Sequence, residues 1–241
     1  MSKYKLIGVG TNAKTIKGDG SEYETAILYM APFKVVVDGK THNSCAMAEQ
    51  AGCVKPCLNL AGRGAFSNVI AARLRKATWF YQDRAAFMAQ LAKDVAKFAA
   101  SCAKKGVQPC VRLNGTTDIR WELIKLENGL SIFEAFPDVQ FYDYTKISNR
   151  KVSHLNNYHL TWSYSGANAS YAAQLDSAIA NGMNAAVVFR DQNTIPAMWQ
   201  DYAVIDGDKD DLRHLDPKGV IVALYAKGPA KKDTSGFVVD A

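Results

Sequence analysis

The sequence predicts an α/β fold: a partial or open (β/α) TIM-like barrel of largely parallel strands. Three observations lead there. Strand-like segments alternate with helical ones along most of the chain. Several of the strands are apolar throughout, as in a parallel sheet covered on both faces. Nearly every strand also leaves through polar or charged residues, and chemistry in such barrels sits at the carboxy-terminal ends of the strands. Glycine and proline are spread out rather than pooled into a linker, and no repeat is present. Residues 1–241 are therefore expected to form one domain, with a cysteine-bearing metal loop at about 31–64.

The elements follow in order. Glu24–Met30 reads as a short buried strand ended by Ala31-Pro32. A hairpin comes next, with Asp38-Gly39 as the tight turn between Phe33–Val37 and Lys40–Ser44. The cysteine segment reads as loop or short helix. From Asn68 to Lys105 the pattern is helical, with a break near Trp79–Asp83. Leu91, Val95, Phe98 and Cys102 recur at helical spacing, and Gly106 stands where a closing glycine belongs. Gln108–Asn114 is a strand that leaves through Gly115-Thr116-Thr117-Asp118. A short helix over Ser131–Phe136 and strands over Val139–Thr145 and Tyr158–Tyr164 follow. Tyr171–Asn181 is a helix closed by Gly182, and strands over Ala185–Arg190, Tyr202–Ile205 and Gly219–Tyr225 complete the set.

Charge is unevenly placed. Residues 1–120 hold 18 Lys/Arg against 8 Asp/Glu, and residues 121–241 hold 11 against 15, for a net +6. A basic half can attract a polyanion such as nucleic acid. Much of it, however, lies in one helical stretch (Arg73, Arg75, Lys76, Lys93, Lys97, Lys104, Lys105), which also fits a solvated helix face. No aromatic stacking motif or recognition-helix signature accompanies it. The amino-terminal MSKYKLIGVG lacks an apolar signal region and no window spans a membrane, so a cytoplasmic setting and no membrane partner are expected.

Cys45, Cys53 and Cys57 form a C-x7-C-x3-C cluster. Thiolates this close in sequence repel unless a cation neutralises them, and soft sulfur selects zinc, copper(I) or iron–sulfur clusters. Structural zinc favours four ligands with C-x2-C pairs, which are missing here; His42 is the nearest fourth ligand. The expectation is an iron–sulfur cluster, [4Fe–4S] with one iron open, against zinc or metal-free thiols as alternatives. Arg63, between two glycines in Leu58–Gly64, would shield the cluster's charge. Arg112, Asn114, Asp118, Tyr144, Lys146, Ser163, Arg190 and Asp206 stand at strand exits and are expected to bind cofactor or a small-molecule substrate.

Position adds a resemblance. A three-cysteine loop after an early strand of a partial barrel is the layout of radical S-adenosylmethionine enzymes, which implies S-adenosylmethionine at the open iron. Those enzymes show C-x3-C-x2-C, and this chain does not. The chain also resembles a family of mostly bacteriophage-encoded proteins designated as a numbered gene product. The resemblance rests on Asn12-Ala13-Lys14, Ala51-Gly52-Cys53-x3-Cys57, Arg112–Asp118, Phe141–Lys146, the Val204–Lys227 region and Ser235–Val239. That family has five residues between its first two cysteines, where this chain has seven. The resemblance implies a phage origin, hence the host cytoplasm, and a shared cysteine-centred site.

The remaining motifs read as structural. His42, His154, His159 and His214 form no spaced metal pair, and Cys102 and Cys110 read as packed thiols. Asp206–Asp211 lacks the twelfth-position glutamate of a calcium loop. Tyr4, Tyr142, Tyr144, Trp162 and Tyr164 read as core and rim aromatics. No GxSxG, P-loop or GxGxxG element occurs, which disfavours serine hydrolase, nucleotide hydrolase and Rossmann chemistry.

Overall fold

The structure, a computed structural model, describes residues 5–10, 15, 22–57, 59 and 62–240. Asn12-Ala13-Lys14, Tyr4, Leu58, Leu60 and Ala61 lie outside these residues. Twelve described strands are seen: β1 (Ile7–Val9), β2 (Tyr23–Leu28), β3 (Lys34–Val37), β4 (Lys40–Asn43), β5 (Gln108–Arg112), β6 (Gln140–Thr145), β7 (Tyr158–Ser163), β8 (Asn184–Phe189), β9 (Met198–Trp199), β10 (Tyr202–Asp206), β11 (Ile221–Tyr225) and β12 (Val238–Val239). The α-helices are α1 (Ser67–Gln82), α2 (Arg84–Lys105), α3 (Ile132–Ala135), α4 (Ala169–Ala172) and α5 (Leu175–Ala180).

One large sheet runs in the order β1-β2-β5-β6-β7-β8-β11-β10-β9, with β12 beside β8. Its interior pairs, from β2–β5 through β10–β11, are all parallel. The edges are antiparallel: β1 on β2 and β9 on β10. The largely parallel α/β expectation therefore holds, and the sheet is open rather than closed into a barrel. Among the described residues the edge strands β1 and β9 do not meet, and the last two long strands run in reversed order, β11 inside β10. The result is an open, mixed sheet.

The two sheet faces differ in chemistry. On one, Val111, Phe141, Leu160, Ala185, Val187 and Ile221 join the apolar core with Phe80, Phe87, Leu91, Val95 and Phe98 of α1 and α2 and Phe133 of α3. Because side chains alternate along a strand, the other face carries Arg112, Tyr142, Tyr144, His159 and Thr161. Instead of helices, the loop around Asp211–His214 packs there, with the His214 ring against Tyr23 and Tyr142.

Helix boundaries follow local chemistry. Asp83 breaks the long helical stretch into α1 and α2, and its carboxylate accepts the Ala86 N–H to cap α2. Gly106, at φ 70°, closes α2 after Lys104 and Lys105. The helix expected over Tyr171–Asn181 is instead two short pieces, α4 and α5. Their junction at Gln174 turns that side chain to the Ser148 hydroxyl. No described helix is long and apolar enough to cross a membrane.

The carboxy-terminal strand has a specific seat. β7 pairs with β8 only from Thr161 to Ser163. Beyond that the strands part, and β12 takes the β8 edge at Val188 and Phe189. The Gly166 N–H then donates to the Gly236 carbonyl. The tail thus wedges between two strand ends at the mouth of the sheet.

Candidate functional site

A cavity of about 1280 Å³ opens at the carboxy-terminal ends of the parallel strands. It exceeds the roughly 300–1,000 Å³ usual for small-molecule sites. Cys45, Cys53 and Cys57 all line it, as do Arg63, Arg112, Asn114, Asp118, Tyr144, Lys146 and Ser163.

The cysteine loop is shaped by backbone bonds. Residues 45–53 form consecutive helical turns, with N–H groups of Ala48, Ala51, Gly52 and Cys53 donating to Cys45, Met47, Glu49 and Ala48 carbonyls. Ala48 and Ala51 are buried beneath. Gly52, at φ 61°, is pressed on its neighbours: a Cβ there would lie 2.6 Å from the Ala167 Cβ and 3.4 Å from the Ser235 hydroxyl. The loop carrying Cys53 is therefore braced on the segment after β7 at Ala167 and, next to it, on the carboxy-terminal tail at Ser235.

The sulfurs receive backbone donors. The Phe33 N–H donates to Cys45 Sγ at 3.3 Å, from a residue held at φ 59°. The Asn59 N–H donates to Cys57 Sγ at 3.5 Å. Burial pushes the Cys45 thiol up to about 11, against the hydrogen bond from Phe33. Burial also raises Cys53, with Lys146 pulling the other way. The first two cysteines are thus neutral thiols near neutral pH. Among the described residues no three Cys, His, Asp or Glu side chains converge as a ready ligand set for a metal ion. His42 does not line the cavity, and its ring stacks on Tyr81 at 4.2 Å.

Opposite the cysteines stands Lys146 at the exit of β6. Its ammonium donates to the Ser163 hydroxyl at 2.8 Å and the Ser163 carbonyl at 3.1 Å, and burial lowers its pKa to about 8. Asp118 organises the same corner. Its carboxylate accepts the Thr145 hydroxyl, the Lys146 N–H and an Arg150 N–H, while its own N–H donates to the Ser44 carbonyl. Asn114 is spent on structure: its side-chain oxygen accepts from Thr117, the Ile119 N–H and the Trp121 indole, and its amide donates to the Ile119 carbonyl.

Arg112 is buried at the floor. It pairs with Asp211 and lies over the rings of Tyr142 and Tyr144. Its Nε and the Tyr144 hydroxyl are buried without a hydrogen-bond partner. His159 and His214, on the same polar face, are held neutral by burial, each lowered to about 4.

Two expected residues fall elsewhere. Arg190 does not line the cavity; it turns to the tail, donating to the Asp240 carboxylate and the Asp233 carbonyl. Asp206 is exposed and accepts the Asp208 N–H as a turn residue. The two-residue offset brings Asp208 inward instead, where its carboxylate accepts from Lys227 and the Tyr225 N–H. The sequence reading missed Arg73, Lys76 and Asp211 as cavity residues. Arg73 and Lys76 had one available signal: α1 holds three basic residues and no acidic one.

Comparison with known proteins gives one match. A family model described as Gene product 88 matches residues 5–241. No curated protein matches the chain, and no solved structure does.

Proposed function

The chain belongs to the Gene product 88 family, and we propose that it is an iron–sulfur protein whose Cys45, Cys53 and Cys57 hold a [4Fe–4S] cluster facing the cavity. One observation carries this reading: three cysteines from a single loop line one cavity, together with a lysine that makes no salt bridge among the described residues. The Phe33 and Asn59 N–H groups already donate to two of the sulfurs, and hydrogen bonds to sulfur tune such clusters. A lone structural zinc is less well served, because its short Zn–S bonds of about 2.3 Å demand a converged ligand set. A cluster spreads its thiolates over several irons.

The chain's own residues then have defined tasks. Binding would draw the protons from Cys45 and Cys53, whose burial otherwise keeps them neutral. Lys146 would offset the negative charge that the thiolates bring. With three protein ligands, one iron is left for a small molecule, and the proposed occupant is S-adenosylmethionine. A reduced cluster supplies single electrons, so the protein is read as a redox or radical-type enzyme. A phage origin and the cytoplasm of an infected host are its proposed setting.

The test is low-temperature EPR of the anaerobically purified, dithionite-reduced protein. A cluster signal that changes shape on adding S-adenosylmethionine is expected. An unchanged signal removes the cofactor from the reading, and no signal at all removes the cluster.

A further inference from the structure

The cavity holds more positive charge than its own carboxylates neutralise. Asp118, Asp208 and Asp211 each have a basic partner: Arg150, Lys227 and Arg112. Arg63, Arg73, Lys76 and Lys146 line the same cavity, and none makes a salt bridge among the described residues. Lys146 faces the cysteines, and Arg63 is exposed ahead of α1. That leaves Arg73 and Lys76, half-buried and three residues apart on α1 and so on one helix face.

Both are held in place by neutral acceptors. Arg73 donates through Nη1 to the Asn59 carbonyl at 2.7 Å and the Asn59 side-chain oxygen at 2.6 Å. Its Nε is buried with no partner. Lys76 donates to the Leu6 carbonyl at 2.7 Å. The nearest carboxylate in electrostatic reach of Lys76 is Asp94, which is occupied by the Leu6 N–H and the Gln90 amide. Gly64 lets Asn59 and Arg73 pack against its backbone, because a Cβ there would lie 2.4 Å from the Asn59 carbonyl oxygen and 3.2 Å from Arg73 Nη1.

We infer that Arg73 and Lys76 form an anion subsite for a phosphoryl group of a small-molecule ligand. This rests on the reading that the cavity is the functional site. Two fixed cations without a direct carboxylate contact match a dianion better than a single carboxylate, and a guanidinium fork suits phosphate oxygens. The cavity extends well beyond a head group. Arg112 and Tyr144 lie at its floor. A phosphorylated molecule of nucleotide size fits a cavity of this volume.

Isothermal titration of pyrophosphate into the full-length protein tests this. Saturable binding is expected. Lys76→Gln should weaken it about tenfold or more, the loss of one charge-assisted contact, while Lys97→Gln on the exposed face of α2 should leave it unchanged. Arg73→Lys, which keeps the charge but loses the fork, should weaken it less than Lys76→Gln. No saturable heat at millimolar pyrophosphate overturns the subsite, as does full affinity in Lys76→Gln. A single-stranded oligonucleotide without terminal phosphate forms a second arm: failure to compete is expected, and competition would move the source of the phosphate to a polymer and overturn the small-molecule assignment. Iron is measured on the same samples. Binding by an iron-free protein separates the two readings, keeping the subsite while the cluster falls.

Discussion

The Lys146 ammonium, at the end of β6, donates to the Ser163 hydroxyl at the end of β7, 2.8 Å away. It ties together two neighbouring strands at the point where β7 leaves β8 and the tail enters. The same nitrogen also reaches the Ser163 and Tyr164 carbonyls. Its aliphatic stem ends over the Phe237 ring of the tail, 4.5 Å from the nitrogen.

Removing Lys146 should therefore loosen the mouth. Lys146→Met should lower stability by about 1–3 kcal/mol, because it takes a donor from the Ser163 hydroxyl and the Tyr164 carbonyl and leaves the Ser163 carbonyl to the Tyr171 hydroxyl alone. Ser163→Ala should lower it by about 1 kcal/mol or less, since the ammonium keeps both carbonyls. Urea denaturation of the two variants and the double variant checks this. Equal losses in both single variants would contradict the geometry.

Gly52→Ala should be more damaging than its size suggests. It meets a 2.6 Å contact to Ala167 and a left-handed φ of 61° together. Gly106→Ala shares the positive φ but meets nothing within 4 Å. The comparison isolates the clash: Gly106→Ala should cost about 1 kcal/mol, and Gly52→Ala clearly more, with faster labelling of the Cys53 thiol. Equal melting temperatures would show that the loop is not braced at Ala167.

Asp143 gives a pH dependence with a definite sign. It is fully buried, and burial raises its carboxyl to about 7 despite Arg112 and the N–H groups of Asn114 and Leu113. The folded state therefore keeps a proton that the unfolded state releases above its ordinary value of 3.8. This carboxyl's contribution to stability falls as pH rises from about 4 to 7, and is level above that. Asp143→Asn should remove that slope. Chemical denaturation of both proteins at several pH values across the window reads the difference, and parallel curves would refute the assignment.

Arg190→Ala should leave the site intact. Its pair with Asp240 is exposed on both sides, so about 1 kcal/mol or less is at stake. Iron content and pyrophosphate affinity should match the parent protein. A loss of either would return Arg190 to the site.

Much of the fold was legible in local pattern. The turn at Asp38-Gly39, the break at Asp83 and the closing glycine at Gly106 are written in residues that accept a left-handed backbone or cap a helix with their own side chain. The apolar strands and their polar exits placed Cys45, Cys53, Cys57, Asp118, Tyr144, Lys146 and Ser163 at one mouth. What failed depends on partners distant in sequence. The reversal of β10 and β11, the antiparallel pairing of β1 on β2 and the insertion of β12 join residues distant in sequence and have no local signature. Arg190 stands at a strand end as expected, yet the returning tail claims it. Arg73 and Lys76 look like a solvated helix face until Asn59 and the amino-terminal strand are brought against α1.

The most direct measurement is iron, acid-labile sulfide and zinc per chain in anaerobically purified protein, beside a variant with Cys45, Cys53 and Cys57 all changed to serine. The account predicts near-equal iron and sulfide, approaching four of each per chain as in a full cubane, no stoichiometric zinc, and neither iron nor sulfide in the variant. A folded parent protein that carries no iron, or carries zinc alone, would contradict it.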